Sequence, residues 1–293
     1  MPDFDDLLSN QPQEVPPMPE PEFDKDAWAA QKKQQREELY ALVDTTALDV
    51  AADPAQLTQY LEVQARFDRY SATNALLVLA QMPEATQLGD LDHWKKERVF
   101  IKPTEIGNAI TILAPGKEYH RDDGSVGTGV DMKRVYDISQ AERPRLQPIP
   151  KYDDRALVRA LVNASPVPVE GVDQLGGPDA LYSPEQGKIL VQRGMDAPGI
   201  VSAVGREICR NEFGQQNADP ALVDFTARAG AHLLCKRFNM EPQGIDLSDA
   251  PQHLGGMESK DLRGALSNIR ALSNEIAARM AKELEPRKPE ARS

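Results

Sequence analysis

The stretch Ile200–Phe213, Ile-Val-Ser-Ala-Val-Gly-Arg-Glu-Ile-Cys-Arg-Asn-Glu-Phe, decides how the fold of this chain is interpreted. At about 100° per residue its apolar side chains fall on one side of a helix, and Arg206 and Arg210 fall together on the other side. The apolar set consists of Ile200, Val201, Val204 and Ile208. The stretch therefore predicts a helix with one buried side and one polar side.

The polar side of this helix contains Arg206-Glu207-Ile208-Cys209-Arg210. This is the spacing of the zinc-peptidase motif His-Glu-x-x-His, with arginine in place of both histidines. An arginine cannot ligate zinc, because its guanidinium stays protonated and offers no acceptor. The same spacing is also common on helix surfaces, where Glu207 and Arg210 form a solvated pair. The residues alone leave both interpretations open.

The length of 293 residues exceeds the usual ~100–200 residues of one domain and predicts two domains. No apolar run approaches the roughly 20 residues of a membrane helix, and the acidic N-terminus lacks a signal-peptide pattern, so we expect a cytoplasmic protein without a membrane partner. Cys209 and Cys235 lie in apolar helical contexts and are expected to be free buried thiols. For Cys209, the two neighbouring arginines leave a lowered thiol pKa as the alternative.

The formal net charge of −12 is concentrated at the N-terminus. Residues 1–26 hold eight acids, one lysine and six prolines, so −7 belongs to this segment and −5 to the rest of the chain. The segment is predicted to be a disordered acidic tail, because it cannot bury enough apolar surface to offset chain entropy. Its Phe4, Leu7 and Leu8 either anchor a protein partner or belong to a purely solvated tail. Residues 286–293 are a second predicted disordered tail.

Apolar spacing, the caps Asp53-Pro54 and Asp219-Pro220, and the breaks at Pro83 and Pro286 place the predicted helices. Their approximate ranges are 28 onward, 54–67, 71–81, 153–163, 200–213, 220–238 and 260–284. Two β-rich runs, 99–101 and 109–113, are predicted to pair as a hairpin across 103–107. A turn at 121–124 and strands at 133–138, 166–169 and within 180–191 complete the prediction.

Residues in both halves carry a family resemblance. The matching residues are Arg69-Tyr70-Ser71, Asn74, Leu77, Leu79-Ala80-Gln81, Pro83-Glu84-Ala85-Thr86, Trp94, Ile112-Leu113-Ala114-Pro115, Tyr182-Ser183-Pro184-Glu185, Ile189, the stretch 200–213 and Ala231-His232-Leu233-Leu234-Cys235. They resemble the ArdC-like antirestriction proteins, which are encoded on plasmids and other mobile elements. Residues 66–115 are the specific part, although Glu97 and Pro103 stand where the family has glycines.

The resemblance covers roughly residues 27–284 and implies an α+β fold of two domains. Residues 27–143 would form a helical single-stranded-DNA-binding domain with a small β-sheet. Residues 153–285 would form a zincin-like, metallopeptidase-related α+β domain, and residues 144–152 would link the two.

In this resemblance the family's two zinc-binding histidines fall at Arg206 and Arg210. The third ligand, a glutamate, falls at Arg228, or at Asp224 if the alignment is displaced by one helical turn. One carboxylate cannot build a three-ligand zinc site, so we predict a pseudo-metallopeptidase with no metal, no cofactor and no enzymatic activity. The arginines are expected to face solvent or to pair with Glu207, their only nearby counter-charge. Anion binding by the arginines is the alternative.

Single-stranded DNA binding requires cations for phosphates and aromatic rings for bases on one surface. The candidate residues are Arg69, Tyr70, Trp94, Lys95, Lys96, Arg98 and Lys102. Residues 27–143 carry a net charge of −4, so binding would need a local groove and not bulk charge. The alternative is that Tyr70 and Trp94 belong to the core and that the lysines form a solvated face.

The sequence thus predicts a single-stranded-DNA-binding accessory or antirestriction-type protein of a mobile genetic element, in the setting of plasmids and conjugation. The metallopeptidase-like domain would serve as a scaffold. The alternative is a protein-interaction module with neither DNA-binding nor peptidase activity. An active hydrolase with an unrecognised site is opposed by the missing zinc ligands.

Overall fold

The computed structural model describes residues 24–121, 123–144, 151–214 and 219–285. The chain divides into two units, one up to Glu38 and one from Leu39 onward. The described residues of the first unit are exposed and belong mainly to helix α1, Lys25–Ala52. Helix α1 begins at Lys25, within the segment 1–26 that is predicted to be a disordered tail, and residues 1–23 of that segment lie outside the described residues. The elements described below belong to the second unit.

Polar caps begin the next two helices, and the cap at Asp53 is as predicted. The Asp53 carboxylate accepts a hydrogen bond from the Ala55 amide at the start of α2, Pro54–Arg66. The Ser71 hydroxyl accepts one from the amide of Asn74 in the first turn of α3, Ala72–Gln81.

Two side-chain amides join α3 to the following sheet. Asn74 donates to the Leu113 carbonyl (2.8 Å) and accepts from the Leu113 amide (2.9 Å), and Gln81 makes the same two bonds to Thr111, each 2.9 Å long. The edge of the strand that contains Thr111 and Leu113 is therefore covered by α3 side chains.

The first sheet has the order β1-β3-β2 and is antiparallel, with β1 at Leu88–Gly89, β2 at Ile110–His120 and β3 at Val126–Asp137. The hairpin predicted across 103–107 is wrong, because β2 continues to His120 and pairs with β3, which begins at Val126. Pro103–Glu105 instead form a 3₁₀ turn, and Ile101 makes only an isolated bridge to Ala141. A short helix, α4 at Leu91–Lys96, follows β1.

The second half begins with α5, Asp154–Ala164, and a sheet of order β4-β6-β5. Strand β4, Val169–Val172, is parallel to β6, Lys188–Gln192, and β5, Ala180–Ser183, is antiparallel to β6. The remaining helices are α6 (Ala197–Gly214), α7 (Pro220–Arg237), α8 (Ala250–Leu254) and α9 (Ser259–Leu284). The predicted α+β fold class is confirmed. Across the described ranges, no helix combines the length and the apolar character that crossing a membrane requires.

Helix α7 contributes to two hydrophobic cores. Phe225 and Leu233 pack in the core formed with α2, α3, β2 and α9, whereas Ala227 and Leu234 pack in the core formed with α5, α6 and α9. The first core thus contains side chains from both sides of the predicted linker, of which residues 145–150 lie outside the described residues. The division into two domains stays a prediction.

Candidate functional site

Helices α6 and α7 carry the positions that the resemblance assigns to zinc ligands, and two glycines allow these helices to pack closely. A Cβ added to Gly205 of α6 would lie 3.3 Å from the Leu234 side chain, and one added to Gly230 of α7 would lie 3.0 Å from the sulfur of Cys209. Larger residues would push the helices apart. The close packing places polar side chains of α6 within reach of those of α7.

Glu207 is the buried centre of the polar side of α6. Its side chain is 1% exposed, and both carboxylate oxygens accept hydrogen bonds. Oε1 accepts from Arg210 at 2.7 Å and from Nε of Arg206 at 3.3 Å, and Oε2 accepts from the Tyr182 amide of β5 at 3.2 Å. Arg206 and Arg210 therefore pair with Glu207, which is one of the two expected outcomes, whereas Arg228 does not contact it. The alternative of a solvated surface pair is wrong, because Glu207 is enclosed by β5 as well as α6.

The ion pairing continues from α6 to α8. Arg210 also donates to Asp224 of α7, and Asp224 accepts from Nε of Arg228 at 2.9 Å. Arg228 then binds both oxygens of Asp249, the residue before α8, at 3.0 and 2.6 Å. We call Arg206, Glu207, Arg210, Asp224, Arg228 and Asp249 the arginine–carboxylate network. The expectation from the sequence that Glu207 is the only nearby counter-charge of the arginines is wrong, because Asp224 and Asp249 also pair with them.

Two aspartates of this network, Asp224 and Asp249, are held in their charged forms. Burial raises the pKa of Asp224, but the hydrogen bonds and charges of Arg210 and Arg228 outweigh it, so the pKa stays below its ordinary value. Hydrogen bonds from Arg228, and a further one from His253, lower the pKa of Asp249 to about 2. Alternating charges thus run from α6 across α7 to α8.

The residues at this location do not fit a metal ion. The three predicted ligand positions hold guanidinium groups, which are cationic and have no lone pair to donate. Both oxygens of Glu207 and both of Asp224 already accept from arginine or backbone donors. In the part of the chain that the structure describes, no group of three or more His, Cys, Asp or Glu side chains is arranged to hold a metal.

Both cysteines are buried free thiols, as the sequence predicts. Burial raises the pKa of the Cys209 thiol well above its ordinary value, so the alternative of a lowered pKa is wrong. The neighbouring Arg206 and Arg210 pair with Glu207 on the opposite side of α6. Cys209 instead packs against Gly230 of α7. Burial also raises the pKa of Cys235 to about 11.

A separate cleft contains three of the predicted DNA-binding residues. It has a volume of about 320 Å³ and lies between the end of α2 and helix α4; we call it the α2–α4 cleft. Its lining includes Arg66, Phe67, Asp68, Arg69, Tyr70, Thr86, Gln87, Leu88, His93 and Trp94. Arg69 is exposed, and Tyr70 is half-buried with one ring face stacked on Phe67 at 5.5 Å between centroids.

Trp94 is a core residue and the stacking role predicted for it is wrong. Its side chain is 4% exposed and packs with Tyr136, Ile138 and Ala141. The indole Nε1 donates to the Tyr136 carbonyl at 2.9 Å, which satisfies its polar atom inside the core. No free ring face remains for a nucleotide base.

The other predicted cations are not all on the same surface. Lys95 and Lys96 are exposed in the last turn of α4. Arg98 lines a different cleft, together with Phe100 and Arg143. Lys102 is half-buried and its amide donates to the Gln140 carbonyl. The structure therefore brings Arg69 and Tyr70 together and separates Arg98 from them.

Sequence reasoning missed Asp249 and Phe100. Asp249 lies 21 residues after Arg228, outside any local spacing pattern. Phe100 was assigned to a strand interior, whereas its side chain is 63% exposed. No signal in the sequence indicated the exposure of Phe100, because it depends on residues 99–101 not forming a strand in the folded protein.

No protein-family model and no curated protein sequence matches this chain. The solved structures that are similar to it include two of the antirestriction protein ArdC from the R388 plasmid. The metal-free crystal structure matches with a TM-score of 0.52 and 15% identity, over 73% of this chain and 86% of ArdC. The Mn(II)-bound crystal structure matches with a TM-score of 0.50 and 14% identity, over 72% and 85%. The chain therefore has an ArdC-like fold, as the sequence resemblance predicts, and at this identity the likeness shows the fold alone.

Proposed function

We propose that this protein is a single-stranded-DNA-binding, antirestriction-type accessory protein of a mobile genetic element, and that its metallopeptidase-like half is a catalytically inactive scaffold. The shared fold with a plasmid antirestriction protein supports the general class. The finer assignment is supported by the charges and contacts of the described residues.

The observation that carries the DNA-binding proposal is the charge of the α2–α4 cleft. The guanidinium of Arg69 has no hydrogen-bond or ion-pair partner among the described residues. The acidic residue beside it, Asp68, is neutralised from behind by Arg237 at 2.6 Å, and its carbonyl accepts from Arg270 and Asn274. The cleft therefore presents net positive charge next to the Tyr70 ring, which is the combination that binds a flexible strand.

The scaffold proposal is supported by the arginine–carboxylate network. Each predicted ligand position is an arginine whose charge is already paired within the protein. A peptidase mechanism needs a metal with an open coordination position, or another activated nucleophile, and this network supplies neither.

Fluorescence anisotropy of a labelled single strand, measured with the full chain at two salt concentrations, tests DNA binding. We expect the single strand to bind more tightly than a duplex of the same sequence. About four or five neutralised phosphates give a log–log salt slope near −3, from roughly −0.7 per phosphate. Arg69→Ala should weaken binding, whereas Arg155→Ala, which removes another unpaired exposed arginine from α5, should not.

Absence of binding at low salt would overturn the DNA proposal and favour the protein-interaction module. The scaffold proposal is tested separately by metal analysis of purified protein. One equivalent of tightly bound zinc or manganese would overturn it.

A further inference from the structure

Phe100 is the most exposed of the large apolar side chains on the described surface, at 63%. It lines a cleft of about 470 Å³ formed by Glu97, Arg98, Val99, Phe100, Glu142 and Arg143, which we call the Phe100 cleft. An exposed phenyl ring beside a cleft offers a flat apolar face on which a planar ligand such as a nucleobase can stack.

The backbone around Phe100 is firmly held although its ring is exposed. The Phe100 carbonyl accepts from the Glu142 amide at 2.9 Å, Ile101 bridges to Ala141, and the Val99 amide donates to the Trp94 carbonyl at 2.8 Å. The ring is therefore presented from a fixed segment, and little ordering would be needed when a flat ligand stacks on it.

Arg98 has a backbone conformation that is unusual for its residue type. Its φ is +57°, in the left-handed region that favours glycine, at the position where many helices end in a left-handed residue. The left-handed residue joins α4 to the segment that presents Phe100, because its amide bonds back to the Lys95 carbonyl.

The charged groups of the Phe100 cleft are available to a ligand. Within the described ranges, the guanidinium groups of Arg98 and Arg143 have no hydrogen-bond or ion-pair partner, and neither have the carboxylates of Glu97 and Glu142. A site for phosphates alone would exclude the two carboxylates. A nucleotide explains the presence of both positive and negative side chains, because the carboxylates can accept hydrogen bonds from amino groups of the base while the arginines bind its phosphate.

We propose that the Phe100 cleft binds one unpaired nucleotide of a single strand, with its amino-bearing base stacked on Phe100 and its phosphates paired with Arg98 and Arg143. This inference rests on the proposed single-stranded-DNA binding and adds a second binding position to the α2–α4 cleft. The last turn of α4 and its C-cap connect the two positions along the chain, because Trp94 of α4 lines one cleft and the C-cap residue Glu97 lines the other.

The test compares Phe100→Ala with the wild-type full chain, using a labelled oligodeoxycytidylate in fluorescence anisotropy. We expect about 5- to 100-fold weaker binding, the range for losing one stacked base, with unchanged thermal unfolding because the ring is exposed. The matched control is Tyr119→Ala, which removes another exposed aromatic ring beside an arginine, at the tip of the β2–β3 hairpin, and should bind as wild type does.

Two further measurements separate stacking from general charge. In Phe100→Trp, binding should be retained and the new indole fluorescence should be quenched by the oligonucleotide. An abasic strand, which keeps its phosphates, should bind wild type and Phe100→Ala equally. If wild type binds but Phe100→Ala binds equally well, this inference is overturned while the proposed function stands. If wild type does not bind any single strand, the proposed function itself fails.

Discussion

The arginines of this protein fall into two groups that differ in what surrounds them. Arg210 and Arg228 lie between helices and are paired with carboxylates of α6, α7 and the residue before α8. Arg69, Arg98 and Arg143 lie on the surface of clefts and have no partners among the described residues. The first group neutralises carboxylates within the protein, and the second group is available to bind an external anion such as a DNA phosphate.

The difference shows that residue type alone does not determine a role. A paired, partly buried arginine contributes to stability mainly because removing it leaves a carboxylate uncompensated. An unpaired surface arginine contributes little to stability and much to the binding of an anion. Substitution of a paired arginine should therefore lower the free energy of unfolding and leave DNA binding unchanged. Substitution of an unpaired arginine should weaken DNA binding and have little effect on stability.

The largest expected effect comes from breaking the paired group at its buried centre. Glu207→Ala leaves Arg206 and the Tyr182 amide without their acceptor and should lower the free energy of unfolding by about 3–5 kcal/mol. Denaturant unfolding measures this loss. Glu185→Ala, an exposed change in the adjoining loop, is the control and should have no effect. A loss for Glu207→Ala as small as that of the control would show that the carboxylate is not buried.

A smaller effect is expected from Arg228→Ala. It leaves Asp224 and Asp249 without their shared donor and should destabilise the protein by about 2 kcal/mol. The affinity for single-stranded DNA, measured on folded protein, should be unchanged. Arg69→Ala should show the reverse pattern, with unchanged stability and weaker binding. The comparison between paired and unpaired arginines would be refuted if both variants changed the same property.

The pH dependence of unfolding sharpens the same comparison. Because the folded pKa of Asp249 is about 2 and its ordinary value is 3.8, its contribution is complete above about pH 5 and is lost as pH falls toward 2. Asp249 is partly exposed, so solvent screening reduces this contribution to about 1 kcal/mol. Asp249→Asn should lose less stability than wild type between pH 5 and pH 2. Parallel pH curves for the two proteins would contradict this role.

The smallest effect is expected in the unpaired group, at Arg98. Glycine adopts the positive φ of this position without strain, so Arg98→Gly should raise the free energy of unfolding by about 0.5 kcal/mol. The same change removes a cation and should reduce the magnitude of the salt slope of DNA binding by about 0.7. Arg98→Ala is the control, since it removes the cation and keeps the strain. Greater stability in Arg98→Ala than in Arg98→Gly would argue against strain.

Local chemistry made several parts of the fold predictable. The caps Asp53, Ser71 and Asp219 act on amides two or three residues away, so their effect is contained in short stretches of sequence. The amphipathic spacing of α6 and α9 is equally local. Helices α4 and α8 were missed because six and five residues are too few for a periodic pattern.

The errors concern residues whose partners are distant in sequence. Trp94 has the composition of a stacking residue, but its environment depends on Tyr136, 42 residues later. The run 99–101 has strand propensity, yet β3 pairs with β2 and leaves Phe100 exposed. Propensity describes a segment, whereas burial depends on which segments meet.

By itself, the sequence determined the positions of the longer helices and showed that positions 206 and 210 hold arginines, which cannot ligate zinc, because each follows from local residue chemistry. The α+β class was expected from the family resemblance. The tertiary structure alone decided that Arg228 is paired through Asp224 and Asp249, that Trp94 is buried and that Phe100 is exposed. The physical reason is that electrostatic pairing and burial depend on distances in space. Those distances arise only when α6, α7 and α8, or α4 and the β-sheet, have packed together.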